Sequence, residues 1–260
     1  MSEVLRKDVL GLFGGDLHDK HRLLYPVDDS ESVESRIVTR FSALRNKGGV
    51  TLVDGAFDVP HNNHEWYLRH CKMIGVFAAF KARHGADITF EEMAARLPSQ
   101  PEIIDTASLA VTVDADDKVA HKKSGLNHKG GVQRPIYPWI ARAGRLAGYH
   151  FSLNGRLHQT VDLVTVEGDE QHRGTPLESS LALAAFLKSE KLLDTFIVFG
   201  EHDATVDEAH DLQLDPIVVS DDGKDDELNP QTGERWSSSA LIRRAQGSAV
   251  PVPITRPEGL

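Results

Sequence analysis

The chain has 260 residues, 40% of them hydrophobic and 26% charged, which is length enough for a sizeable core and the balance of a soluble globular protein. Its formal net charge of -10 argues against general binding to nucleic acid or to an anionic membrane. The one cysteine, Cys71, excludes an internal disulfide and fits a reducing cytoplasm, and no apolar run is long enough to span a bilayer.

The first residues, with Glu3, Arg6, Lys7 and Asp8, lack the pattern of a secretion signal. Gly11, Gly14, Gly15, Pro26 and the acidic cluster at 28–31 predict turns. Residues 32–44 then read as a helix with Val33, Ile37, Phe41 and Leu44 on one face, stopped by Gly48 and Gly49. Residues 1–48 are expected to be an N-terminal extension, in which plain packing is favoured over a lid, an oligomer contact or a substrate-side addition.

Residues 50–53 are the first predicted strand, a short apolar run of buried type. A turn with Gly55 and Pro60 leads into a helix bearing Trp66, Tyr67, Ile74, Phe77 and Phe80, where Cys71 is expected in the core. His61 and His64 stand where strand gives way to helix, three residues apart and so on one face of the first turn. Unpaired backbone N–H groups and the helix dipole favour a phosphate there, and two imidazoles can donate to its oxygens. A metal pair, or two solvated histidines, are the alternatives.

Residues from about 84 to 106 read as an insertion with a short helix whose apolar face is Phe90, Met93, Ala94 and Leu97. It either shapes a pocket or caps the structure. Residues 108–114 are the second predicted strand. A polar, basic run follows through Lys118, Lys122, Lys123, Lys129 and Arg134; its glycines would make it a mobile closing loop, and a solvated surface loop is the alternative. A short helix is expected over 139–149, strands over 161–166, 195–199 and 216–220, and a strong helix over 177–191. An acidic turn-rich stretch, 221–231, precedes a last helix opened by Ser237, Ser238 and Ser239. Residues 248–260, with three prolines, are expected to be a tail. Five strands alternating with helices predict an α/β fold: a Rossmann-like, doubly wound, five-stranded parallel sheet with helices on both faces.

The stretch Gly55-Ala56-Phe57-Asp58-Val-Pro-His61-Asn-Asn63-His64 resembles the Gly-x-Phe-Asp-x-x-His-x-Gly-His signature of the nucleotidylyltransferase superfamily, the cytidylyltransferase-like enzymes. Asn63 stands where that family usually has glycine, which should change how the nucleotide is seated. A domain over 49–247 is implied. So is transfer of AMP or CMP from ATP or CTP to a phosphorylated small-molecule acceptor, of sugar- or polyol-phosphate type, with pyrophosphate released. The resemblance implies that His61 and His64 stabilise the α-phosphate. A loop lysine, Lys122 or Lys123, and Arg142 would hold phosphate charge. Gly55, Ala56, Phe57 and Asp58 would seat the nucleotide, as would the turn Gly200-Glu-His202-Asp203, in which Asp203 or His202 would touch base or ribose, or Asp203 would cap the turn. Ser238 or Ser239, with Arg243, would hold the β- and γ-phosphates. Mg²⁺ is expected on the triphosphate itself, with no protein cage, and self-association is left open. The alternative is a nucleotide-binding regulator or scaffold of the same fold in which Asn63 has weakened catalysis. A fragment like the class I aminoacyl-tRNA synthetases is disfavoured by the acidic charge and by the lack of a Lys-Met-Ser-Lys-Ser-like loop.

Overall fold

In the computed structural model a parallel sheet lies between two layers of helices, and residues 23–24, 31–55, 57, 62–116, 118–119, 139–168, 172–199 and 204–219 are described. In chain order the strands are β1 (Leu23–Leu24), β2 (Gly49–Val53), β3 (Ala107–Asp114), β4 (His150–Leu153), β5 (Arg156–Gln159), β6 (Leu163–Glu167), β7 (Thr195–Phe199) and β8 (Ile217–Val219). The helices are α1 (Val33–Arg45), α2 (Asn62–His84), α3 (Phe90–Arg96), α4 (Trp139–Ala147), α5 (Ser180–Ser189) and α6 (Ala204–Asp211), with a 3-10 turn at Pro101–Thr106.

The main sheet runs β1-β6-β3-β2-β7-β8, with every pairing parallel. All five predicted strands are in it. From β2 the chain steps outward through β3 to β6, then crosses back to place β7 and β8 on the other side of β2. The strand order therefore reverses between β2 and β7, the crevice where open α/β sheets bind ligands. β1, only two residues long, is an addition at the outer edge beside β6, in register Leu23↔Val164. Residues before β2 thus contribute an edge strand and a helix to the same sheet.

The period of two along each strand divides its side chains between two cores. Val50 and Leu52 of β2, with Phe196 and Val198 of β7, join Ile37, Phe41 and Leu44 of α1 and the apolar faces of α5 and α6. Val53, Val111 and Ile197 point the other way, onto Tyr67, Leu68 and Cys71 of α2 and Ala143 and Leu146 of α4. Cys71 is fully buried, and burial pushes its thiol pKa up, as expected of a core residue. At Gly75 α2 comes so close to β2 that a Cβ would lie 2.2 Å from Thr51 Oγ1.

At 23 residues α2 spans about 35 Å, roughly twice the length of β2. Its second half overhangs the amino-terminal edge of the sheet and must be covered. Val76 and Phe80 there pack with Met93 and Leu97, with Ile103 and Ile104 of the 3-10 turn, and with Phe151 of β4. The segment read as an insertion is therefore the cap on this overhang, at the edge opposite the β2–α2 turn, and not a wall of the crevice. Phe90, expected on its apolar face, is 43% exposed and meets Phe77 edge-on at 5.6 Å. The β4–β5 hairpin, which the sequence reading passed over, turns through Asn154 and Gly155, both at positive φ. Among the described residues no helix is long and apolar enough to cross a membrane.

Candidate functional site

The carboxyl end of β2 runs into Asp54 and Gly55, and α2 begins at Asn62. Asp54 is held at both ends of its residue: its N–H donates to Ile197 O at 3.4 Å, and Thr112 Oγ1 donates to its Oδ1 at 3.4 Å. Phe57 adopts φ 42°, an uncommon left-handed conformation for a residue with a side chain. Its buried ring lies over Gly55, where a Cβ would be 2.6 Å from Phe57 Cε2. The same ring meets His64 edge-to-face, with centroids 5.2 Å apart. This accounts physically for glycine two positions before phenylalanine: any side chain at 55 would displace the ring against which His64 is braced. His64 is half-buried in the first turn of α2, and Asn63 beside it is likewise half-buried. One turn on, Tyr67 packs edge-on against Phe199, the last residue of β7, at 4.8 Å. Burial, with neighbouring Cys71, raises the Tyr67 phenol pKa. Both strands flanking the reversal are thus tied to the start of α2.

Arg142, on α4, is fully buried. Its Nη2 donates to Asp116 Oδ1 at 2.8 Å, and the same oxygen accepts from the backbone N–H of Trp139, the first residue of α4, at 2.6 Å. Gly55, Phe57 and His64 therefore meet in one turn, while Arg142 is hooked to Asp116, two residues beyond the end of the neighbouring strand, β3. His61, Ala56, Asp58, Lys122, Lys123, Gly200, His202, Asp203, Ser238, Ser239 and Arg243 lie outside the described residues.

The structure also gathers a cluster that the sequence reading did not assemble. Asp54, Asp114 and Glu167 each stand at or just beyond the end of a strand, with Asp114 opposite Glu167 in register. Lys118 Nζ reaches Asp114 Oδ1 at 3.0 Å and also contacts Glu167 Oε1. Burial would lower the Lys118 pKa, but the two carboxylates outweigh it and hold the ammonium above its ordinary range. Burial first, and then the charge of Asp54, push Glu167 up to about 8 against the opposing pull of Lys118. The signal was present in the sequence as an acid closing each of three apolar runs: Val53-Asp54, Val113-Asp114 and Val166-Glu167.

The cluster does not fit a resident metal. Among the described residues no group of three or more His, Cys, Asp or Glu side chains is arranged to hold one, and the Lys118 ammonium lies between the two carboxylates that a cation would need. The chain matches no model of a known protein family and no curated protein.

Proposed function

We propose that the chain is a nucleotidylyltransferase that moves AMP or CMP from ATP or CTP to a phosphorylated small molecule of sugar- or polyol-phosphate type. The observation that carries this reading is the position of the turn from Gly55 to His64: it leaves the carboxyl end of the strand beside which the sheet order reverses. That is the position the resemblance of this stretch requires. The triphosphate enters with its magnesium as part of the substrate.

In this reading an acceptor phosphate oxygen forms a bond to the α-phosphorus in line. The bond from the α-phosphorus to the α–β bridging oxygen breaks, and pyrophosphate leaves with that electron pair. His61 and His64 donate hydrogen bonds to α-phosphate oxygens as their charge grows, and no covalent enzyme intermediate forms. Phe57 braces the His64 ring. Lys122 or Lys123 and Arg142 offset phosphate charge; Ser238 or Ser239 and Arg243 hold the β- and γ-phosphates. Gly200 and Asp203 are assigned to nucleotide binding, and the reaction to the cytoplasm.

The test is His64→Ala. Turnover falls at least about a hundredfold while the melting transition stays close to that of the wild type. Near wild-type turnover in a folded variant sinks the assignment. A second reading, a nucleotide-binding regulator without turnover, is favoured by Asn63, half-buried beside His64 at the position where the superfamily has glycine. Nucleotide binding without pyrophosphate release in the wild type would select it.

A further inference from the structure

We infer that Asp116 is a positioning residue for nucleotide phosphate binding, acting through Arg142. The inference rests on the reading of this site as a triphosphate site, with or without turnover. The guanidinium of Arg142 is fully buried, whereas the Asp116 side chain that receives it is 45% exposed. The pair therefore meets solvent through Asp116, and Arg142 acts on an anion there through the local field and not by direct contact.

One oxygen of Asp116 sets two things at once. At 2.8 Å it fixes Arg142 Nη2, and at 2.6 Å it fixes the Trp139 N–H. A single carboxylate shared between a guanidinium and the first N–H of a helix leaves positive potential at that point, since the helix start contributes its own partial charge. The carboxylate thus fixes the guanidinium and balances its charge, and the partial positive charge of the helix start is what remains.

Asp116 is not needed to hold its own backbone. Ala115 N–H donates to Glu167 O at 2.7 Å, Val119 N–H donates to Ala115 O at 3.0 Å, and Val119 is fully buried. Lys118, between Asp114 and Glu167, anchors the same stretch independently. With four fastenings elsewhere, what the Asp116 carboxylate adds is the placement of Arg142 and of the start of α4.

The experiment is a double-mutant cycle read by calorimetric titration with MgATP and with MgCTP. The variants are Asp116→Ala, Arg142→Met and the pair; methionine replaces the buried arginine by an apolar chain of similar reach. Melting temperatures are measured in parallel, and Asp116→Glu serves as the conservative variant. Asp116→Ala is expected to raise the Kd of the preferred nucleotide roughly tenfold. The double variant should bind no worse than Arg142→Met alone, and Asp116→Glu should recover most of the affinity. Losses that add, or a Kd in folded Asp116→Ala equal to that of the wild type, overturn the positioning role and leave the nucleotide reading standing. If the wild type binds neither nucleotide, the triphosphate reading fails, and this inference fails with it.

Discussion

Lys72 sits on α2 about two turns beyond His64 and is almost wholly buried, with its Nζ 2.6 Å from Asp162 Oδ2. The same oxygen accepts from the N–H of Leu109 at 2.9 Å. One carboxylate thus joins α2, β3 and the turn into β6. Replacing Lys72 by methionine keeps most of the stem's packing and removes the ammonium. The Asp162 side chain is then a carboxylate only 14% exposed, with one backbone N–H remaining. Breaking a buried pair from one side costs roughly 3–5 kcal/mol, because the charge left behind is uncompensated. The retained N–H and partial water access put this case at the low end, about 3 kcal/mol. With an m value of about 3 kcal/mol/M for a chain of this size, the urea midpoint falls by about 1 M. The assay is equilibrium urea unfolding followed by far-UV circular dichroism at 25 °C. Removing both charges in Lys72→Met/Asp162→Asn should bring stability back to within about 1 kcal/mol of the wild type, since the amide oxygen still accepts from Leu109. A single Lys72→Met variant within about 0.5 kcal/mol of the wild type would refute the reasoning.

Two further outcomes follow from the geometry. Gly75→Ala gains about 1 kcal/mol of helix propensity but drives a methyl to 2.2 Å from Thr51 Oγ1, so overpacking of about 1–3 kcal/mol should win and lower the melting temperature. Adding Thr51→Ala should restore it, and an unrescued double variant contradicts the contact. Glu167, whose pKa rises from an ordinary 4.5 to about 8, binds a proton in the folded state that the unfolded chain releases at lower pH. Its contribution is therefore full below about pH 4.5 and lost as pH rises through about 8. Glu167→Gln cannot lose that proton, so its stability relative to the wild type should rise across this window. A pH-independent difference in urea midpoint between the two proteins would show that folding does not raise the Glu167 pKa.

The parts of the fold that were legible were those where apolar side chains lie close together in the chain. Each strand of the parallel core, being buried on both faces, announces itself as a short continuous apolar run: Val50-Thr-Leu-Val53, or Thr195-Phe-Ile-Val-Phe199. α1 was legible from the spacing of Val33, Ile37, Phe41 and Leu44; its cap, Ser32, whose Oγ accepts from Ser35 N–H, is added by the structure. The two-residue β1 carries no pattern, because Leu23-Leu24 is recruited by the edge of β6 and not by its own sequence. The β4–β5 hairpin did carry a signal, Asn154-Gly155, but its strands are half polar and pack only through residues such as Phe151 and His158. The start of the candidate site was legible because Gly55, Phe57 and His64 act on one another within one turn. The acid cluster, Asp116 on Arg142, and Lys72 on Asp162 were not, since each joins residues far apart in the chain that only the sheet order brings together.

The central claim is the reaction itself, and the most direct measurement is pyrophosphate release. The purified chain is incubated with Mg²⁺ and each of the four ribonucleoside triphosphates against a panel of sugar- and polyol-phosphates. The account predicts release with ATP or CTP that depends on one acceptor and is abolished in His64→Ala. Binding of a triphosphate with no acceptor-dependent release across the panel would contradict the transferase and point to the regulator.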